Sequence, residues 1–121
     1  MTGVGGMASV RMLGSDTPAL LVSGVALPTA PVPQYTAQQI TTIKWFEFNN
    51  TDTVSRTVTV YAVPSGGAVG VATQVMKIPL AAGEHVPIAS AEVILTGYTL
   101  QLIADAAGVV RASVSGKVQV P

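Results

Sequence analysis

The chain contains no cysteine among its 121 residues, which excludes disulfides and thiolate metal sites and leaves its robustness to packing and subunit contacts. Charge is almost as scarce. Lys plus Arg number 6 and Asp plus Glu number 6, together 10% of the chain, where an average soluble domain carries roughly a quarter. The formal net charge is zero, so no bulk electrostatic pull toward nucleic acid or anionic lipid is expected. Long apolar runs are missing too. The best candidate, "PALLVSGVALPTAPVP", is cut by Pro28, Pro31 and Pro33 and is shorter than the roughly 20 residues a membrane helix requires. The opening "MTGVGGMASVRMLGSD" lacks the basic start, apolar block and small-residue cleavage site of a secretory signal, so no export is expected.

What remains is apolar and weakly charged: 49% of residues are hydrophobic and the mean hydropathy is +0.53. A neutral monomer of this composition associates readily, so the sequence predicts a surface covered by further copies or by partners. The length suits one domain with a modest core. Residues 1–34 are rich in Gly, Ala, Ser and Pro, hold one short β-like run at 19–22, and read as an extended arm ordered against neighbours or as a loose tail. Residues 35–121 read as the folded domain.

In that domain the punctuation is β-like throughout. "TTIKWFEFN" (41–49) supplies the large aromatics, with Trp45 and Phe46 assigned to the core. "RTVTVYAV" (56–63) alternates, placing Val58, Val60 and Ala62 on one face and Thr57, Thr59, Tyr61 and Val63 on the other. "TQVMKIPL" (73–80) reads as an edge because Pro79 has no ladder donor. "HVPIA" and "AEVIL" read as short pieces around a bend, and "YTLQLIA" and "VVRASVSGKVQV" close the domain. Glycines at 66, 83, 97 and 108 mark the turns. The single helical candidate is one turn at 36–39. The fold expected is all-β: an antiparallel sandwich of about seven to eight strands, either a jelly roll or an Ig-like Greek key, with an extended amino-terminal arm.

Catalytic chemistry has little to work with. The only histidine, His85, is the one base a serine triad could use. Asp16, Glu47, Asp52, Glu84, Glu92 and Asp105 are scattered without acid/base spacing. "NNTD" (49–52) is the one oxygen-rich stretch, and it reads as Asx-type turns rather than a calcium loop. No metal and no cofactor are expected. The glycine stretches lack the Lys-Ser/Thr ending of a phosphate loop. A small carbohydrate-binding domain is a separate reading, with Tyr35, Tyr61 and Tyr98 as platforms for a glycan.

An aromatic strand running into "FNNTDT" is followed in order by "RTVTVYAVPSGG", "LAAGEH", "ILTGYTLQLIADAAG" and "VVRASVSGKVQV". This succession, covering about two thirds of the chain, resembles small β-sandwich structural proteins of tailed bacteriophage particles. It departs from their pattern at Gly97-Tyr98, where Gly-Asp is expected. The resemblance implies a virion component without enzymatic activity, assembled in the host cytoplasm: a head decoration or cement protein, or alternatively a neck, tail or receptor-binding fibre module. Its partners would be copies of itself, in a trimer or similar ring, and the major capsid protein or other virion proteins, with no nucleic acid and no membrane. The interface residues expected are Val10, Met12, Leu20, Leu21 and Val22 in the arm, and Thr57, Thr59 and Tyr61 on the strand face. On the fibre reading, loops 49–56 and 64–67 would touch a host surface.

Overall fold

The computed structural model describes residues 17–120. Eight strands form two four-stranded antiparallel sheets: β1 (Thr17–Ala26), β2 (Tyr35–Thr36), β3 (Thr41–Asn50), β4 (Arg56–Val63), β5 (Gln74–Leu80), β6 (His85–Ile94), β7 (Thr99–Ala104) and β8 (Val110–Val118). Sheet I has the order β1-β8-β3-β6 and sheet II the order β2-β7-β4-β5. The pairings β1 with β8, β2 with β7, β3 with β6 and β4 with β5 are nested. The chain is thus one long hairpin, tipped at the β4–β5 turn, whose successive pairs go alternately to the two sheets. That is the jelly-roll order, which settles the choice left open between it and an Ig-like Greek key.

The inner faces supply a single core. Ile43, Phe46 and Phe48 of β3 are buried against Val58 and Val60 of β4 and Leu100 and Leu102 of β7. Phe46 and Phe48 stack with ring centroids 5.9 Å apart and an interplanar angle of 10°. Burying each large apolar side chain is worth about 1.5–3 kcal/mol, so this cluster holds the two sheets face to face.

Four features differ from the sequence reading. The boundary at residue 34 is displaced, because Thr17–Ala26 is a full strand of sheet I, with Val22 and Leu27 in the core. Its anchor is pairing with β8, far away in sequence, which local composition does not reveal. Trp45 is 41% exposed rather than core. A register shift between Ile43 and Trp45 reverses the side-chain alternation, so Ile43 and Phe46 both point inward and Trp45 points out. "HVPIASAEVI" is one strand, β6, and the only helical element among the described residues is a single 3-10 turn at Val71–Thr73, not at 36–39.

The bulge in β3 explains why the position opposite it is glycine. Gly116 pairs with Ile43, and a Cβ there would collide with the Thr42 carbonyl oxygen. The proline-rich segment between β1 and β2 closes the exposed edge of β7. The Gln34 side-chain amide accepts from Leu102 N–H (2.8 Å) and donates to Leu102 C=O (2.9 Å), standing in for a strand residue, while Ala104 N–H reaches the Pro28 carbonyl at 3.0 Å. Asn50 joins the two sheets at one end. Fully buried, it donates through Nδ2 to the carbonyls of Val54 (3.0 Å), Leu80 (3.3 Å) and Ala81 (3.0 Å). Its Oδ1 accepts from Asp52 N–H at 3.0 Å, which is the Asx turn expected of "NNTD".

Candidate interaction surfaces

With the inner faces in the core, the outer faces of the two sheets are what the molecule offers. On sheet I one row of paired residues runs across all four strands: Leu20, Ser115, Trp45 and Ala89. Leu20 is 63% exposed and Trp45 41%, with only the small Ser115 between them. Their strands lie two spacings apart, about 10 Å. Beside Leu20 is an open hollow of about 450 Å³ bounded by Pro18, Lys44 and Lys117. Val93, on the neighbouring row opposite Thr42, is also exposed.

The outer face of sheet II is polar. Thr59 of β4 lies between Lys77 of β5 and Ile103 of β7. Thr57, one row along, pairs with Pro79, and its carbonyl accepts from Asp105 N–H at 3.2 Å. Thr29, from the segment after β1, completes the wall of an open cleft of about 550 Å³ over these residues. Tyr61 is the next outward residue along β4, paired with Gln101.

The expected interface residues land unevenly on these surfaces. Val10 and Met12 lie outside the described residues. Leu20 is exposed on sheet I, and Leu21 is partly buried against the core. Val22 is 3% exposed and belongs to the core, because the bulge after Leu20 turns it inward. It presents no surface to a partner. Thr57, Thr59 and Tyr61 do share the outer face of sheet II, as alternation predicts, and the first two line the cleft. Lys77 and Ile103 carry no signal in the sequence and Asp105 only that of one scattered carboxylate among six, since only strand order brings them beside Thr57 and Thr59.

Other candidates are separated rather than gathered. Loops 49–56 and 64–67 flank opposite ends of β4, so its eight residues, about 26 Å, lie between them and they do not form one tip. Tyr35 and Tyr98 pack against the core, and the Tyr35 hydroxyl lies 3.0 Å from Thr41 Oγ1. Tyr61 alone of the three tyrosines is not part of that packing. His85 begins β6, 60% exposed, with Nε2 3.6 Å from Glu47 Oε2. Glu84 bonds instead to Ala81 N–H at 2.7 Å. Ser113, in the same shallow hollow as His85, is engaged by Gly24 N–H at 2.9 Å.

At the loop end of sheet II, Arg56 donates through Nε (2.9 Å) and NH2 (2.7 Å) to Asp52 Oδ2, and approaches Asp105 at 4.0 Å. The Arg56 guanidinium, helped by the Thr53 N–H, holds the Asp52 carboxyl below the usual aspartate range. Among the described residues no three His, Cys, Asp or Glu side chains gather to hold a metal ion, and no helix is long and apolar enough to cross a membrane. No family model, curated protein or solved structure matches the chain.

Proposed function

We propose that the protein is a non-enzymatic structural component of a tailed-phage particle, a decoration or cement protein that associates with its own copies, in a trimer or similar ring, and binds the head shell. The observation that carries this reading is the pair Leu20 and Trp45, 63% and 41% exposed on one row of sheet I in a chain of zero net charge. Apolar surface of this kind gains about 25 cal/mol for each Å² covered. The gain is small for one copy and is multiplied when many copies occupy a lattice. The ordered succession of phrases at 41–120 supports the same reading through its resemblance to small virion proteins. Jelly rolls serve in viral capsid domains among others, a fold-level analogy that is compatible with the proposal.

The test is copy number in purified particles by quantitative mass spectrometry. Hundreds of copies support decoration, a dozen or fewer move the protein to the neck or tail, and absence from the particle overturns the proposal. Replacing Leu20 and Trp45 together by serine is expected to weaken shell binding about tenfold or more, which is 1.4 kcal/mol or more.

A further inference from the structure

The geometry points to a second binding site, on the other sheet and independent of the assembly reading: the cleft over Thr57 and Thr59 binds a neutral oligosaccharide. Three observations lead there. The cleft measures about 550 Å³, inside the range of small-ligand sites. Its polar groups are free to engage a ligand: Thr41, Thr51 and Thr73 direct their hydroxyls to carbonyls of the chain, but among the described residues no side-chain hydrogen bond engages those of Thr29, Thr57 or Thr59. Lys77 likewise has no carboxylate within ion-pair distance among the described residues, and Asp105 is half exposed, with Arg56 4.0 Å away and already bonded twice to Asp52.

The placement of the two charges selects the ligand class. Lys77 stands on β5 and Asp105 follows β7, with β4 and its threonines between them. That separation is about 10 Å across the strands before the offset of one row along them is added. An anion such as phosphate would be repelled by Asp105, and a cation by Lys77. An α-amino acid carries both charges on a single carbon, too close together to reach both ends. A chain of two or three uncharged sugar rings has hydroxyls that both donate and accept along this whole length. It can give hydrogen bonds to Asp105, take them from Lys77 and do both with the threonines. Ile103 and, one row beyond Thr59, Tyr61 supply the apolar surface against which the C–H face of a ring packs.

The experiment is a glycan array covering neutral, sialylated and sulfated oligosaccharides, probed with the full chain, followed by NMR titration of the neutral glycan giving the strongest signal. Saturable amide shifts at Thr57, Thr59, Lys77 and Ile103 are expected. Thr59→Val, which keeps shape and strand preference while deleting the hydroxyl, and Asp105→Asn are each expected to weaken binding about tenfold or more. Trp45→Ser on the opposite sheet is expected to leave it unchanged. The inference is overturned by an array with no signal, by signal confined to acidic glycans, by shifts mapping to sheet I, or by affinities indifferent to both cleft variants. None of these outcomes depends on copy number in a particle.

Discussion

Along its outer face sheet I exposes Leu20, Trp45 and Val93, whereas the same side of sheet II carries Thr57, Thr59, Lys77 and Asp105. The inner faces show no such contrast, since both contribute aliphatic and aromatic side chains to one core. Both sheets hold register shifts, placed differently. The β1–β8, β3–β8 and β3–β6 ladders of sheet I all shift register, while β4 and β7 of sheet II pair without interruption from Val58 to Val63. A bulge moves side chains from one face to the other, and in sheet I that is what brings Trp45 to the surface. An unbroken ladder keeps strict alternation, which in sheet II sets the threonines in a row. In sheet II the β4–β5 ladder shifts only between Val60 and Tyr61, past the threonine row.

The comparison breaks most completely where the sheets are joined. Asn50→Ala removes the amide shared by the carbonyls of Val54, Leu80 and Ala81 and leaves the Leu80 carbonyl without it in a buried site. A loss of about 4 kcal/mol by chemical denaturation is expected, with both faces failing together. Gly116→Ala comes next. It forces β8 away from Thr42 in sheet I, at about 3 kcal/mol, and hydrogen exchange is expected to rise in β3 and β8 before it rises in β4 and β7. The double change Leu20→Ser with Trp45→Ser should alter stability by no more than about 1 kcal/mol, because both side chains are already largely in solvent, while weakening the proposed shell binding about tenfold or more.

The smallest effect is electrostatic and belongs to sheet II. Asp52 has a lowered pKa in the folded protein because Arg56 and the Thr53 N–H favour its charged form. Its contribution is therefore present above the unfolded aspartate range and lost as pH falls through the lowered value. Thermal melts from about pH 7 down to about pH 3 should show a shallower acid decline in Asp52→Asn than in the parent.

The strands most legible in the sequence were those whose own alternation and flanking turns define them. β4 shows its two faces in "RTVTVYAV", and Gly83 and Gly97 occupy left-handed backbone at turns that their positions marked. Pro79 located an edge, and β5 is the outermost strand of sheet II. β1 is legible only as the short run at 19–22, because small residues, a proline and Gly24 mask the rest of a strand whose stability comes from β8. Trp45 was misplaced because alternation assumes an unbroken register. Thr57 and Thr59 were legible as a face. The cleft they line was not, because Lys77 and Asp105 reach it from different strands and only the order of sheet II makes them neighbours.

The nesting of strand pairs also governs time. Thr17 pairs with Val118, each inner pair is enclosed by the one outside it, and only β4 and β5 join residues close in sequence. Loop-closure entropy grows with the length enclosed, so contacts should form outward from residues 64–73, with folding in milliseconds to seconds rather than microseconds. β1 then docks last. Until it does, the edge of β8 can accept a strand from another newly made chain, so in a crowded assembly the lifetime of that open edge, more than final stability, sets how cleanly each copy closes on itself.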